Sequence, residues 1–237
     1  MIQVAVFGTG RMAAAIVRAA EAMQSCSVIA LAGPREPEFE TSVPWVESLD
    51  QLPSIPDLLI DFTLPDGTLV AAEWCRANGI PLVSGVTGLP DEVQAALQAT
   101  AEKVPVLWSP NLSLGVNLLA DLAARAAAVI DADATVEIED IHHQWKKDAP
   151  SGTALMLGAR IAGERNADDD AIDYDSVREG EVIGVHTVRF RLAGEDIELV
   201  HRAHDRSIYA SGAIRAGIWL RQQPARLYTA ADWLAAG

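Results

Sequence analysis

After Met1 the sequence reads Ile2-Gln3-Val4-Ala5-Val6-Phe7, then Gly8-Thr9-Gly10-Arg11-Met12-Ala13, and continues through an alanine-rich stretch that ends near Met23. The first run is short, apolar and β-branched, which predicts a buried strand, and the alanine-rich stretch predicts an amphipathic helix. The glycines between them have the Gly-x-Gly-x-x-Ala spacing of a dinucleotide fingerprint. Gly8 allows a tight turn, and the missing side chain of Gly10 lets a pyrophosphate approach the helix amides. Glycine turns between a strand and a helix also occur for purely steric reasons, so the surrounding sequence must show whether this turn belongs to a dinucleotide-binding fold.

That pattern continues for about 110 residues as an alternation of short strands and helices. Further buried strands are predicted at residues 28–32, 58–62, 82–84 and 106–109, and helices at about 67–77 and 90–102. Strands that alternate with helices of this length are typical of a parallel sheet with right-handed crossovers. The sequence therefore predicts an α/β fold that begins with a Rossmann-like, doubly wound parallel sheet, in a domain of residues 1–114.

The pattern changes after residue 114 and predicts a second domain. A helix is expected at 116–128, a strand with one wet face at 135–141, a helix at 152–165, an acidic loop at 166–175, and strands at 186–192 and 197–202. Helix returns at 211–220 and 230–236. This order is typical of an α+β domain built on a mixed sheet. Asp168-Asp169-Asp170 is expected to be a solvated loop and not a metal site.

Composition and charge exclude several classes of function. The 237 residues hold 18 Lys and Arg against 33 Asp and Glu, a net charge of −15, which disfavours binding to nucleic acid or to an anionic membrane. Cys26 and Cys75 have no metal-binding spacing, so no metal site is expected, and two lone thiols fit a reducing cytoplasm. No signal peptide is recognisable. The longest apolar stretch, 112–130, contains Asp121 and Arg125, so a soluble protein is expected.

The densest polar cluster is His142-His143-Gln144-Trp145-Lys146-Lys147-Asp148-Ala149-Pro150-Ser151-Gly152-Thr153. It holds two of the three lysines of the chain, so it concentrates positive charge where an anionic small molecule could bind. The last three residues precede a predicted helix, whose first amides could hold a carboxylate. A histidine could donate a proton near neutral pH. Taken singly, the histidines could be packed or solvent-facing, and Ser151 or Thr153 could simply cap the helix.

Other segments that follow predicted parallel strands also suggest ligand contacts. Asp61-Phe62-Thr63-Leu64-Pro65, Gly85-Val86-Thr87-Gly88 and Ser109-Pro110-Asn111-Leu112-Ser113 each stand after a strand, at the edge where doubly wound folds bind ligands. The second predicted strand ends without a carboxylate and is followed by Pro34-Arg35. Arg35 could pair with a ribose 2′-phosphate, which favours NADP; the alternative is a surface pair with Glu36 or Glu38.

These residues together resemble the dihydrodipicolinate reductase family, also called 4-hydroxy-tetrahydrodipicolinate reductases. The resemblance rests on the cluster His142-His143-x-x-Lys146-x-Asp148-Ala149-Pro150-Ser151-Gly152-Thr153-Ala154. Further segments recur in order along nearly the whole chain: Asp61-Phe62-Thr63, Gly85 to Gly88, Asn111 to Asn117, Gly184-x-His186, His201-x-Ala203, Arg206 and Ala210-x-Gly212-Ala213.

The resemblance implies a cytoplasmic homotetramer that transfers hydride from NADPH or NADH to C4 of a cyclic imine dicarboxylate in lysine and diaminopimelate biosynthesis. It implies His142 as proton donor and Lys146 as a further acid, with substrate held by His143, Ser151, Gly152 and Thr153. Cofactor contacts are expected at Gly8, Thr9, Gly10, Arg11, Met12, Arg35, Gly85, Val86, Thr87, Ser109, Pro110, Asn111 and Leu112. Residues 207–237 are expected to complete the dinucleotide-binding domain, and 115–206 to bind substrate and oligomerise.

The sequence departs from the family pattern at three places. The glycine turn is one residue shorter than usual and ends in Ala13, Pro34 stands before Arg35, and Val86 occupies a position where threonine is frequent. Together with Arg35, the second departure predicts a preference for NADPH over NADH. Two alternatives remain: a reductase of another cyclic imine or unsaturated dicarboxylate, and a non-catalytic module that senses nucleotides.

Overall fold

A computed structural model describes residues 1–131, 133–167 and 171–235, and the chain divides into two compact units. Unit 1 contains residues 1–113 and 207–237, and unit 2 contains residues 114–206. The predicted triple-aspartate loop at 168–170 and the last residue of the predicted helix 230–236 lie outside the described residues.

The elements follow one another in this order: β1 (Ile2–Phe7), α1 (Arg11–Met23), β2 (Cys26–Ala32), β3 (Trp45–Val46), a 3₁₀ turn (Leu49–Gln51), β4 (Leu58–Asp61), α2 (Pro65–Asn78), β5 (Leu82–Ser84), α3 (Asp91–Ala101), β6 (Val106–Trp108), α4 (Leu114–Ala127), β7 (Thr135–His142), α5 (Gly152–Arg165), β8 (Ile172–Arg178), β9 (Gly184–Leu192), β10 (Glu195–Ala203), α6 (Ser207–Leu220), β11 (Leu227–Tyr228) and α7 (Ala230–Leu234).

Unit 1 is built, within the described residues, on a seven-stranded parallel sheet with the order β11-β6-β5-β4-β1-β2-β3. From β6 to β3 this is the doubly wound order, and its direction reverses between β1 and β4. In such sheets the ligand binds beyond the carboxyl ends of the strands at this reversal. The predicted α/β class is therefore confirmed, and the glycine turn after β1 lies at the reversal point.

Two apolar layers cover the faces of this sheet. One layer joins β1 to α1 and α6, with Ile16, Leu31 and Ile214 almost fully buried, and the other joins the sheet to α2 and α3, with Leu82 and Leu97 buried. Because α6 comes from residues after unit 2, the chain must return to complete the first layer.

Unit 2 contains a four-stranded mixed sheet with the order β10-β9-β7-β8, in which β7 and β8 run parallel and the other pairs antiparallel. Helices α4 and α5 cover one face, here called the inner face. The part of this face formed by the first half of β7 and the strand opposite is apolar, with Val136 beside Phe190 and Ile138 beside Val188. This confirms the predicted second domain on a mixed sheet.

Strand β8 is the main difference from the sequence prediction, which placed an acidic loop at 166–175. Its sequence alternates Ile172, Tyr174 and Ser176 with aspartates. The aspartates mask the period-two pattern of an edge strand, whose outward side faces water. The two-residue strands β3 and β11 are too short to leave any periodic signal.

Candidate functional site

The glycine turn after β1 has the backbone that a dinucleotide site requires. Gly8 has φ of +117°, and a Cβ there would lie 3.1 Å from the carbonyl oxygen of Phe62, so a side chain would be strained and crowded. Gly10 is the N-cap of α1, with no side-chain cap, and nothing lies within 4 Å of a Cβ built on it. The start of α1 is thus free of side-chain caps and open beside Gly10, which fits a bound pyrophosphate.

The other predicted cofactor segments follow β5 and β6 at the same carboxyl edge of the sheet. Thr87 and Pro110 are exposed there, whereas Val86 and Leu112 are 5% and 1% exposed and belong to the two apolar layers. A ligand would therefore meet Val86 and Leu112 through their backbone. The hydroxyl of Ser109 donates to the Asn111 carbonyl oxygen at 2.7 Å, which shapes this loop.

At the start of α1, Thr9 and Met12 are partly buried and Arg11 is exposed. Arg35 is exposed beyond the end of β2. Within the described residues it forms no ion pair with Glu36 or Glu38, so the surface pairing considered as an alternative is not present.

Asp61, which the sequence grouped with the ligand-binding loops, has a structural role. It is fully buried, and its carboxylate accepts hydrogen bonds from the amide and hydroxyl of Thr63 and from the hydroxyls of Thr68 and Ser84, at 2.6 to 2.9 Å. Burial raises the pKa of Asp61, and these hydrogen bonds oppose the rise only in part. Asp61 therefore ties β4 to α2 and β5 beneath the loops.

In unit 2 the inner face of the sheet changes from apolar to polar toward the end of β7. Asp140 and His142 follow Ile138 on this face because side chains two residues apart point to the same side. His142 is 8% exposed, and its Nδ1 lies 2.8 Å from Oδ1 of Asp140. His142 Nε2 lies beside Gly184 of β9, where a Cβ would be 3.2 Å away. Asp140 thus holds Nδ1 of the candidate acid, and Gly184, which has no side chain, leaves space beside Nε2.

Asp140 is fully buried and accepts hydrogen bonds from several segments. Besides His142, the donors are the Ser151 amide at 3.0 Å, the Ser176 hydroxyl at 2.8 Å and the Arg178 guanidinium at 2.9 Å. Burial alone would raise the pKa of Asp140, but the four hydrogen bonds outweigh it and hold the pKa well below its usual value. Asp140 is therefore ionised at neutral pH.

Two further histidines lie next to this pair. The ring centroids of His142 and His186 are 5.1 Å apart, and those of His186 and His201 are 6.2 Å apart. Burial, helped by the nearby rings of His142 and His201, lowers the pKa of His186 to about 3. Burial, helped by His204, lowers the pKa of His201. His186 is therefore neutral at physiological pH and adds no positive charge beside His142.

The loop from 143 to 150 carries the remaining predicted side chains. Nζ of Lys146 donates to both carboxylate oxygens of Asp148, at 2.8 and 2.7 Å, and this pair lowers the pKa of Asp148. The ring centroids of His143 and Trp145 are 5.8 Å apart. The structure thus places Lys146 in the predicted cluster, with its ammonium held by a neighbouring carboxylate.

Ser151 caps α5, and the helix start follows it. Its hydroxyl accepts from the Ala154 amide at 3.1 Å, so the capping alternative describes what this side chain does here. Gly152 is exposed and Thr153 is partly buried, and nothing lies within 4 Å of a Cβ built on Gly152. The first turn of α5 therefore has room beside Gly152, and the Gly152 amide already donates to the carboxylate of Asp148, which shows that this helix start suits an anion.

Sequence reasoning missed the residues that hold His142. Ser176 and Arg178 follow the predicted loop at 166–175, in a stretch that was left unassigned, and their contacts with Asp140 depend on β8 pairing with β7. Asp140 itself had a usable signal, since a carboxylate two residues before a histidine in a strand lies on the same face. His186 was predicted to begin a strand and otherwise appeared only as part of the family resemblance.

Comparisons with known proteins identify the family of this chain. The family model described as the N-terminus of dihydrodipicolinate reductase matches residues 2–112, and the model of its C-terminus matches residues 115–234. A protein of Hahella chejuensis named 4-hydroxy-tetrahydrodipicolinate reductase is 38% identical over 211 residues, covering 81% of this chain and 78% of its own. One of the same name from Methylococcus capsulatus is 40% identical over 209 residues, with the same coverage.

A solved structure gives the same picture at the level of the fold. Dipicolinate-bound dihydrodipicolinate reductase from Paenisporosarcina sp. TG-14 superposes with a TM-score of 0.84 at 27% identity, covering 97% of both chains. The fold and the named relatives define the class as an oxidoreductase with a dinucleotide-binding domain. Within that class, the chain belongs to the dihydrodipicolinate reductase family.

Across residues 1–131, 133–167 and 171–235, no helix combines the length and apolar character needed to cross a membrane. In the same part of the chain, no cluster of three or more His, Cys, Asp or Glu side chains is arranged to hold a metal ion. Cys26 and Cys75 are both buried free thiols.

Proposed function

We propose that this protein reduces 4-hydroxy-tetrahydrodipicolinate to tetrahydrodipicolinate with a nicotinamide dinucleotide, a step of lysine and diaminopimelate biosynthesis. Membership of the family and the names of its relatives support this reaction. The observation that carries it is the buried pair of His142 and Asp140 in the polar part of the unit 2 sheet. That pair stands in the same cluster as a lysine and an open helix N-terminus, which suits a proton donor beside a bound dianion.

Unit 1 is assigned the dinucleotide. The amides at the start of α1, reached past Gly10, hold the pyrophosphate, and the loops after β5 and β6 contact the rest through Gly85 to Thr87 and Ser109 to Leu112. The open space beside Gly10 and the strained φ of Gly8 support this assignment. When bound, the reduced dinucleotide supplies the hydride that adds to C4 of the substrate.

Unit 2 is assigned the substrate and the proton. The Gly152 and Thr153 amides, with Ser151 and His143 beside them, hold a carboxylate, because a helix N-terminus favours negative charge. Lys146 binds the dianion after exchanging its contact with Asp148. Loss of the C4 hydroxyl as water first gives the conjugated imine. Hydride addition to C4 then pushes an electron pair through the conjugated system, and the electron-rich carbon that results takes a proton from Nε2 of His142, with Lys146 as a further acid.

The test is single-turnover oxidation of NADPH with freshly generated substrate. The double variant His142→Gln with Lys146→Ala should lose at least about a hundredfold in rate, since general acid catalysis contributes about 10² to 10⁴. Lys103→Ala, which removes the remaining lysine of the chain outside the cluster, is the control and should keep the wild-type rate. Wild-type rates in the double variant would remove both residues from the mechanism.

Competition by pyridine-2,6-dicarboxylate, a planar analogue of the substrate, tests the substrate class. Inhibition competitive with the imine is expected. If the enzyme turned over another cyclic imine and ignored this analogue, the related-reductase alternative would replace the proposal. Calorimetric binding of cofactor without turnover of any imine would favour the nucleotide-sensing alternative.

For the cofactor we propose NADPH as the preferred donor, with the Arg35 guanidinium on the 2′-phosphate. Its exposure, and the absence of an ion pair with Glu36 or Glu38 in the described residues, support this role. Arg35→Ala should raise the KM for NADPH about tenfold, since a charge-assisted hydrogen bond contributes about 1.5 to 3 kcal/mol. The KM for NADH should stay within twofold. Equal changes for both cofactors would contradict the assignment.

For the assembly and location we propose a cytoplasmic homotetramer formed through unit 2. The family resemblance supports both, and the two buried free thiols fit a reducing compartment. Light scattering should give the mass of four chains of 25.3 kDa. A monomeric mass at micromolar concentration would contradict the assembly, and fractionation of cells that placed the protein outside the cytoplasm would contradict the location.

A further inference from the structure

The carboxylate of Asp140 accepts four hydrogen bonds, which come from three separate parts of unit 2. Oδ1 accepts from His142 on β7 and from Arg178 on β8, and Oδ2 accepts from the Ser151 amide before α5 and from Ser176 on β8. The side chain is fully buried. A buried carboxylate with this many donors is fixed in one orientation, because rotating it would leave several donors without an acceptor.

This orientation decides which nitrogen of His142 carries a hydrogen. An ionised carboxylate can only accept, so the Nδ1 that faces Asp140 must be the protonated nitrogen. Nε2 is then the nitrogen that gains and loses a proton, and it lies beside Gly184, where no side chain is present. The neighbouring His186 is neutral, with its pKa lowered to about 3 by burial, so it does not oppose a positive charge on His142.

The same carboxylate reaches the substrate-binding loop through Arg178. One guanidinium nitrogen of Arg178 donates to Oδ1 of Asp140 at 2.9 Å, and another donates to the backbone carbonyl of Asp148 at 2.6 Å. Asp148 in turn holds Lys146. The backbone amide of Ser151, at the start of α5, is held by Oδ2. Asp140 therefore contacts the start of α5 directly and the backbone of Asp148 through Arg178, and Asp148 in turn holds Lys146.

We propose that Asp140 is the positioning residue of this site: it fixes the ring and the tautomer of His142 so that Nε2 delivers the proton, and it aligns the α5 N-terminus and the 143–150 loop with that nitrogen. The inference rests on the proposed function only in taking His142 as the proton donor. Asp140 acts through His142 and touches no substrate atom itself.

The change Asp140→Asn keeps the size and shape of the side chain but removes its negative charge. An asparagine oxygen can still accept from His142 and Arg178, but its NH₂ group then faces the Ser151 amide, and two donors repel. Flipping the amide relieves this and places the NH₂ group against the Nδ1 hydrogen of His142 and the Arg178 guanidinium. Either orientation loses the charge and weakens the hold on one tautomer.

The first measurement needs no activity. Long-range ¹H–¹⁵N spectra at about pH 9, where a histidine of ordinary pKa is neutral, report the tautomer of each of the five histidines, and His142→Gln assigns the signal. Wild-type His142 should be the Nδ1–H tautomer, and Asp140→Asn should give a mixture. A wild-type His142 protonated on Nε2 would overturn the proposal, whether or not the protein reduces the proposed substrate.

The second measurement is steady-state kinetics. Asp140→Asn should lower kcat at least about a hundredfold, because the proton step loses its aligned donor, and should raise the KM for the imine by a smaller factor, because the start of α5 also loses its carboxylate partner. Asp57→Asn is the matched control, since Asp57 of unit 1 also accepts from an arginine and a backbone amide, at 2.9 and 2.8 Å; its kcat should stay within twofold. An unchanged kcat in a folded Asp140→Asn protein would also overturn the proposal, and if that variant does not fold, the wild-type tautomer still decides.

Discussion

At the scale of single residues, the two aspartates that are fully buried in the described part of the chain, Asp61 and Asp140, differ in what surrounds them. Asp61 receives its hydrogen bonds from three hydroxyls and one amide, whereas Asp140 receives one from a guanidinium and one from an imidazole. Burial dominates at Asp61 and raises its pKa, while the donors dominate at Asp140 and lower its pKa. One carboxylate thus resists ionisation, and the other is stabilised as an anion.

This contrast predicts opposite outcomes for the same isosteric change. Asp61→Asn should alter the free energy of unfolding at pH 7 by less than about 1 kcal/mol, because the hydroxyls of Thr68 and Ser84 can turn and accept from the new NH₂ group. Asp140→Asn should cost about 3 kcal/mol or more, because the Ser151 amide and the Arg178 guanidinium cannot accept. Urea unfolding of both variants at pH 7 measures the difference, and equal losses would contradict the explanation.

The pH dependence of stability follows from the same two groups. The pKa of Asp61 is raised in the folded protein. Its contribution to the free energy of unfolding therefore falls as the pH rises from the ordinary pKa of an aspartate through the pKa of folded Asp61. The pKa of Asp140 is lowered in the folded protein. Asp140 therefore contributes stability that is present above the ordinary pKa of an aspartate and is lost as the pH falls toward the pKa of folded Asp140. Relative to Asp61→Asn, the wild type should therefore gain stability as the pH is lowered from 7 toward 4. Urea titrations at several pH values check this, and a constant difference would contradict it.

Gly184 provides a further prediction at this scale. A methyl group in Gly184→Ala would lie 3.2 Å from Nε2 of His142, closer than most such contacts, and would crowd the nitrogen that is assigned the proton transfer. We expect kcat to fall about tenfold or more with little change in the KM for NADPH, measured by steady-state kinetics. Unchanged kcat would mean that the proton leaves from another side of the ring.

The sequence predicted these residues unevenly. The cluster from His142 to Thr153 was recognisable because several chemically useful side chains stand within twelve residues. The partners Ser176 and Arg178 were not recognisable, since more than thirty residues separate them from Asp140 and only strand pairing brings them together. The burial of Val86 and Leu112 was equally invisible, because a loop motif does not show which side chains turn into the core.

At the scale of elements, α6 packs very closely against the backbone of the segment just before α4. A Cβ on Gly212 would overlap the carbonyl oxygen of Leu112, a backbone atom that cannot move away. Gly212→Ala should therefore cost about 1 to 3 kcal/mol or more through overpacking. Gly163→Ala in α5 is the control, since nothing lies within 4 Å of a Cβ there, and it should stabilise by about 0.5 to 1 kcal/mol. Thermal unfolding of both variants compares them, and a stable Gly212→Ala protein would contradict the close packing.

The sequence predicted the elements well where their apolar signal was clear. The bounds of β1, α1, β5 and α5 agree with the sequence prediction, because β1 and β5 are short buried runs and the apolar residues of α1 and α5 recur at helical spacing. Strand β8 was missed because aspartates separate its inward residues. Helix α6 begins four residues earlier than predicted, at Ser207, where no periodic apolar signal had begun.

At the scale of the whole molecule, unit 1 depends on a segment that follows unit 2 in sequence. The layer over α1 contains Ala213, Ile214 and Leu220 of α6, so residues 1–113 alone would expose that layer to water. We expect residues 1–113 to be unfolded or aggregated and residues 114–206, which have their own apolar cluster, to fold independently. Near-ultraviolet circular dichroism of the two fragments tests this. A folded 1–113 fragment would show that α6 is dispensable.

The mixed sheet of unit 2 uses one strand for two purposes, since Val136 and Ile138 of β7 fill the apolar layer and Asp140 and His142 continue the same row of side chains. Because neighbouring side chains alternate between faces, a slip of one residue in the pairing of β7 would bury glutamates and turn the imidazole outward together. Molecules with this shifted pairing would consequently show no activity in a reductase assay. Titration of competent centres in a refolded sample therefore counts the chains that reached the native alignment.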